Sequence, residues 1–433
     1  VLDGLLRKLV DVRPNKVRAL LWSFGYFFAL LCSYYILRPL RDEMGIIGGT
    51  RQLHWLFTAT FVAILCAIPL YGWVVARYSR EKFIPIVYRF FIVNILIFWL
   101  LLTFEIETVY VARAFFVWIS VFVIFVVSVF WQLMADLFRA DQGKRLFAFI
   151  AAGGSIGVLL GPAITLGLVK PIGPLNLLIV AAIILELAVF CMRRTTKETV
   201  GNRTPYERSS EHPSTPLGGS SLSGFLAVLK SPYLAGIALW VFLLSLAGTF
   251  LYFQQQNIVA AASQDSATRV EIFAKIELAV GLLTIIIQLA GTGRLISRFG
   301  VGVGAAILPL VAIFGFAVMA VAPVLLTVVI FQACQRTANF AISNPAREMF
   351  FTVADRESKF KAKSVIDMVV FRGGDAANGW LFKAIQGLGM EISGIAMATV
   401  PIVGLWFILS LGLGRAHQRR ATALEIEEKE KSI

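Results

Sequence analysis

The chain has 433 residues, 58% of them hydrophobic and 15% charged, and its mean hydropathy is +0.79. A soluble globular domain carries roughly 25% charged residues, so this composition lacks the polar surface a soluble protein needs and points to an integral membrane protein. The formal net charge of +14 raises nucleic-acid binding as a rival. The basic residues are dispersed over short loops instead of one patch, which argues against a nucleic-acid partner.

Apolar runs of about 20 residues, the length a helix needs to cross a bilayer, recur along the chain. They are continuous and do not alternate as barrel strands do, so the predicted fold class is all-α integral membrane. Hydropathy predicts about twelve spans. Their approximate limits are 17–37, 53–76, 83–103, 109–137, 146–169, 173–192, 232–254, 269–292, 302–321, 323–347, 362–385 and 391–413. The opening residues V-L-D-G-L-L-R-K precede no short apolar core with a small-residue cleavage site, so they are not expected to be a secretory signal.

The first span runs into L-C-S-Y-Y-I-L-R-P-L-R-D-E-M-G, where Tyr34 and Tyr35 are followed by Arg38, Pro39, Arg41, Asp42 and Glu43. Arg38 and Asp42 stand four apart and can pair along a helix, and Arg41 shares that side. Pro39 is expected to weaken the helix locally. The stretch reads either as an outer-leaflet flank or as a set of cations lining a cavity.

Lys and Arg fix the orientation. The amino-terminal tail, every even-numbered connection and the carboxy-terminal tail are basic, while the odd connections are poor in Lys and Arg or carry Glu105 and Glu107. By the positive-inside rule both termini are cytoplasmic. Residues 194–222, rich in Ser, Thr, Pro and Gly, read as a linker. They divide the chain into a six-helix bundle at 1–193, the cytoplasmic linker, a second bundle at 223–415 and a tail at 416–433.

Internal echoes support two halves. G-W-V-V-A-R-Y-S-R after the second span (Gly72, Arg77, Arg80) answers G-R-L-I-S-R-F-G after the eighth (Gly293, Arg298). G-K-R-L-F-A-F-I-A-A-G-G, with Lys144 and Arg145, answers K-A-K-S-V-I-D-M-V-V-F-R-G-G-D, with Lys363. Arg77, Arg80, Arg298, Lys144, Arg145 and Lys363 are the candidate cytoplasmic gate. Gly153, Gly157, Gly161 and Pro162 make a small-residue stripe suited to close helix packing.

Ionisable residues inside spans are functional candidates by default. Arg336 lies midway along the tenth span, three residues before Asn339, and Arg372 is equally deep in the eleventh. An arginine near midplane costs roughly 2.5 kcal/mol or more, so each needs a partner or a water-filled cavity. Arg372 and Asp375 share a face, leaving an ion pair and a substrate role both open; Arg336 has either a cavity or an acid on another helix. Glu271 and Lys275 can pair at i,i+4, whereas Glu277 is deeper and off that stripe. Burial disfavours an ionised carboxylate, so Glu277 leads the candidates for carrying a coupling proton, with Glu271 and Asp367 behind it. Glu186 reads as an inter-helix polar contact, and Arg89 and Asp136 as flank or gate residues. The four cysteines (Cys32, Cys66, Cys191, Cys334) read as buried small apolar residues. With three scattered histidines and no nucleophile–base set, neither a metal, a cofactor nor catalysis is expected.

Two six-helix halves with both termini inside resemble the major facilitator superfamily, whose loop and fifth-helix motifs are similar to the Gly72–Arg77–Arg80 set and the Gly153–Pro162 run. Three stretches further resemble the ATP/ADP translocase family of plastids and intracellular bacteria. Y-I-L-R-P-L-R-D is similar to its first-helix motif, with Arg38 and Asp42 matching and Arg41 standing where that family has a functional lysine. F-W-Q-L-M-A-D-L-F-R-A-D-Q-G-K-R-L-F matches its fourth-to-fifth helix junction at Phe130, Trp131, Lys144, Arg145 and Phe147. D-R-E-S-K-F-K-A-K-S-V-I-D-M-V-V matches its eleventh-helix entry at Asp355, Ser358, Lys359, Lys361, Lys363, Ile366 and Asp367.

The resemblance implies a monomeric secondary transporter of the bacterial inner membrane, moving a nucleotide-like or phosphorylated anion by alternating access. Arg38, Arg41, Lys275, Arg336, Arg372 and Asn339 would hold the anion, and Tyr34 or Tyr35 would stack on an aromatic ring. Two other readings stay open: proton-coupled movement of another anionic metabolite, and a transporter-like receptor that moves no solute.

Overall fold

A computed structural model describes residues 17–77, 80–138, 140–200, 221–354 and 362–431. The expected linker is described at 194–200, within a helix, and at 221–222, which open another; 201–220 lie outside the described residues, as do Asp355, Ser358, Lys359 and Lys361 of the eleventh-helix motif. Arg80, Lys144 and Arg145 have helical backbone, but their side chains also lie outside.

Backbone polar groups must be satisfied internally within lipid, which leaves helices for apolar runs of this length. The first half of the chain forms α1 (Val17–Ile47), α2 (Leu53–Arg77), α3 (Arg80–Thr103), α4 (Thr108–Leu137), α5 (Ala140–Ile172) and α6 (Leu177–Val200). A short helix, Ser221–Lys230, leads into α7 (Pro232–Ala262), α8 (Ser266–Phe299) and α9 (Val301–Val321). Helix α10 joins Leu325–Ala338, a π-turn at Asn339–Ser343 and Asn344–Phe350. Helix α11 covers 362–387, with a π-turn at Ile366–Val370, and α12 is Ile392–Lys431. Among the described residues these are twelve long helical rods, the number hydropathy predicts. Nine candidate spans pass on length and apolarity alone; in α6, α8 and α11 charged or small polar residues interrupt the apolar run.

Helix α1 continues through Pro39 to Ile47, so the proline does not end it. The proline is buried against its neighbours, which supports the backbone where its own N–H is missing.

Cα proximity separates the chain into two units. Unit 1 takes described residues 17–49, 62–200 and 263–278; unit 2 takes 50–61, 221–262 and 279–431. Each thus includes the opening turns of one helix, α8 or α2, from the other half of the sequence.

In unit 1, α1 is the central rod. Tyr26 donates to the Tyr88 hydroxyl (2.6 Å), which donates to the Val126 carbonyl (3.0 Å), and Ser33 donates to the Ala181 carbonyl (2.8 Å). The predicted glycine stripe of α5 lies flat on α1. A Cβ at Gly153 or Gly157 would stand 2.5 Å from the Phe24 or Phe28 carbonyl oxygen, and one at Gly161 2.8 Å from that of Cys32. Gly72 and Gly293, by contrast, have open space around them. In unit 2, α9 crosses α12 where a Cβ on Gly414 would fall 2.2 Å from Gly302 Cα. Trp240 donates to Ser410 (2.8 Å), tying α7 to α12.

The distribution of polarity is that of a protein in lipid. Leu289 and Val321 are 82% and 84% exposed, while Glu43, Glu277 and Gln254, Gln255 and Gln256 are buried. Cys32 and Cys191 are buried as expected, but Cys66 and Cys334 are exposed. An apolar exterior accepts a small thiol as readily as a core does, so apolar context alone could not place them inside.

Candidate functional site

The first-helix stretch is the start of a charged cluster inside unit 1. Arg38 Nε lies 3.1 Å from Glu277 Oε1, with the arginine side chain 18% exposed and the glutamate 1%. The pair meets by proximity, without an aligned hydrogen bond from Nε. Arg38 also sits over the Tyr35 ring at 5.5 Å, and Tyr34 meets Tyr35 edge-on at 5.2 Å. Arg41 lies 4.4 Å from the centre of the Phe116 ring, a cation–π contact to α4. Beside Asp42, the local acid expected to face Arg38, the guanidinium thus meets a carboxylate from α8.

One turn on, Glu43 receives a fork of two hydrogen bonds from Arg269, Nη2 to Oε1 at 2.6 Å and Nε to Oε2 at 2.8 Å. Arg269 Nη1 donates to the Ser263 and Gln264 carbonyls at 3.1 and 3.2 Å. Paired geometry of this kind is what allows both charges to be buried. The sequence reading missed the pair because its members are 226 positions apart. Lys275 reaches Glu271 at 2.7 Å as the i,i+4 spacing predicted, and Lys170 of α5, another omission, reaches the same carboxylate at 2.9 Å. Glu271 is therefore held between two lysines, and Glu277 is the counter-ion of Arg38. Arg89 and Glu186 join α3 to α6 at 2.9 Å, the inter-helix contact expected of Glu186.

In unit 2, Arg372 and Asp375 stand 3.6 Å apart, and Asp375 also accepts a 2.6 Å hydrogen bond from Ser245 of α7. Gly374 permits this approach, since a Cβ there would meet Ser245 Oγ at 3.1 Å. Arg336 lies 5.8 Å from the Phe340 ring. Asn339 begins the π-turn of α10, and its Oδ1 is buried without a hydrogen bond. Asp367, in the π-turn of α11, faces Arg347 at 3.6 Å; Lys363 pairs with Glu348. Arg77 and Arg298 are exposed at helix ends.

Arg347 and the buried glutamines of α7 also escaped the sequence reading. Gln254 Oε1, Gln255 Oε1 and both amide atoms of Gln256 have no hydrogen-bond partner. The signal was present as Q-Q-Q inside an apolar span.

Apolar rods with outward apolar faces and inward ionisable groups define a multi-pass helical membrane protein. Residues 13–354 match the Major Facilitator Superfamily model, and the chain belongs to that superfamily. It is 22% identical over 339 residues to ADP,ATP carrier protein 1 of Chlamydia trachomatis, covering 69% of this chain and 63% of the carrier. The same-named protein of Chlamydia muridarum is 21% identical with the same coverage, so the chain matches less than two thirds of these relatives' length. The fold is similar to the nucleoside transporter NupG (TM-score 0.61, 14% identity, 93% of this chain and 99% of that one). It is also similar to a POT family transporter crystallised with 5-aminolevulinic acid (TM-score 0.64, 13% identity, 93% and 96%). The resemblance carried by the motifs of α1, the α4–α5 junction and the α11 entry agrees with the carrier matches.

Proposed function

We propose that this transporter moves an anionic, phosphorylated and nucleotide-like solute across a bacterial inner membrane by ATP/ADP-type exchange, as a monomer with both termini cytoplasmic. The observation that carries this reading is the α1 cluster, where Arg38 and Arg41 lie among Tyr35 and Phe116 rings. A guanidinium suits a phosphate bidentately, and a neighbouring aromatic ring suits a planar base. In unit 2, Arg336, Arg372 and Asn339 offer a second set of polar groups for the same class of anion. Similarity to carriers named for ADP and ATP favours a nucleotide.

Proteoliposomes preloaded with ADP take up labelled ATP on this reading. Absence of uptake with and without preloading overturns it.

A second reading, proton-coupled transport of another anionic metabolite, is favoured by the buried Glu277 on Arg38. A proton on Glu277 and an anion on Arg38 would replace each other's charge. This reading expects uptake driven by an imposed pH gradient and lost in Glu277→Gln.

A further inference from the structure

Among the described residues, two π-turns occur, both in unit 2, one on α10 and one on α11. In the first the Asn344 amide donates to the Asn339 carbonyl, and in the second the Phe371 amide donates to that of Ile366, five residues back in each case. Such turns cost hydrogen-bond geometry and concentrate at functional sites. Down α10 from the first turn, Asn339, Ser343 and Arg347 follow at intervals of four and so share a helix face. Each has a buried polar atom without a hydrogen bond: Asn339 Oδ1, Ser343 Oγ and Arg347 Nε. Ser343 is wholly buried, and the Arg347 side chain is 16% exposed.

Among the described residues, Arg347 meets Asp367 at 3.6 Å and Glu348 at 3.6 Å, as ion contacts without a hydrogen bond. Asp367 Oδ1 is likewise buried and unbonded. Lys363, the other cation here, is occupied by Glu348. A guanidinium Nε, a hydroxyl and an amide oxygen buried without a hydrogen bond are costly to maintain, and such atoms in a native structure call for a ligand or another specific use.

We propose that Arg347, Ser343 and Asn339 form an oxyanion subsite for a phosphate group. Asp367 holds the place of the anion at 3.6 Å. A tetrahedral phosphate is the better match: it accepts two parallel bonds from a guanidinium and has further oxygens for the Ser343 hydroxyl and the Asn339 amide, whose NH2 turns inward by rotation about χ2. The subsite shares Asn339 with the anion set of the transport reading and deepens that reading, although it takes a phosphate group whichever molecule carries it.

The test is thermal unfolding of the purified full chain, titrated with inorganic phosphate against chloride at matched ionic strength. Phosphate also stabilises proteins non-specifically by exclusion, so the readout is the difference between wild type and variants. Phosphate is expected to raise the midpoint of wild type and of Arg194→Gln, which removes an exposed cation outside both proposed anion sets. Its apparent affinity should fall about tenfold or more in Arg347→Gln, as for the loss of a charge-assisted bidentate contact. Ser343→Ala should keep the ligand-free midpoint, because its hydroxyl bonds nothing, yet bind phosphate more weakly. Repeating the series in phosphatidylcholine nanodiscs with and without phosphatidylglycerol identifies the source: stabilisation by phosphate assigns a free anion, and Arg347-dependent stabilisation by phosphatidylglycerol alone assigns a lipid headgroup. Equal responses of wild type, Arg347→Gln and Ser343→Ala to both overturn the subsite. Arg347-dependent phosphate stabilisation in a protein whose proteoliposomes show no ATP/ADP exchange would keep this inference while removing the transport reading.

Discussion

Arg38 of α1 and Glu277 of α8 form an ion pair at 3.1 Å in which the carboxylate is almost wholly buried. The residue expected to bind anion and the residue expected to carry a proton are thus each other's counter-ion. Removing either takes this partner from a buried charge, at a cost of up to about 3–5 kcal/mol. Arg38→Gln and Glu277→Gln should each lower the thermal midpoint sharply. The double variant should recover part of the loss, and a double-mutant cycle that comes out additive would remove the pair from the stability account.

The fork from Arg269 to Glu43 depends on guanidinium geometry as well as charge. Arg269→Lys keeps the charge but loses the parallel bonds and the carbonyl contacts at Ser263 and Gln264. It should destabilise the protein measurably, and Arg269→Ala more so. Equal midpoints for Arg269→Lys and wild type would show that charge alone suffices.

Gly157 has no room for a side chain against the Phe28 carbonyl. Gly157→Ala should separate α5 from α1 and cost about 1–3 kcal/mol, the range for overpacking. Gly72→Ala, in open space, is the matched control and should leave the midpoint near wild type.

Asp265 precedes α8 and accepts hydrogen bonds from the Thr268 hydroxyl (2.6 Å) and amide (2.9 Å). The hydroxyl first and the amide second hold its carboxyl below the usual range. A lowered carboxylate contributes stability above its unfolded pKa and loses it as pH falls through the folded one. The midpoint difference between wild type and Asp265→Ala should therefore be full at neutral pH and shrink in acid below the ordinary carboxylate range. A difference that grows as pH falls would contradict the cap.

Transport should respond to the chemistry of the α1 cations. Arg38→Lys replaces a fork by a point charge and should reduce uptake of a phosphorylated anion about tenfold. Unchanged uptake in proteoliposomes would move the anion site away from α1.

The amino-acid sequence by itself determined the membrane class, the twelve rods, most of their limits and the glycine stripe of α5. Each of these follows from hydropathy over one span or from side-chain size at helical spacing, properties a local window contains. It also showed Lys275 beside Glu271 and Arg372 beside Asp375, because three or four residues along a helix bring two side chains together. Only the tertiary structure decided which buried charge meets which across helices. Arg38 meets Glu277 of another helix, and Glu43 meets Arg269 at a separation of 226 positions. It also decided that α1 runs intact through Pro39 and that π-turns set Asn339 and Asp367 in their helices. These outcomes depend on which helix faces meet and how closely the backbones approach, and no periodicity within a single helix encodes that.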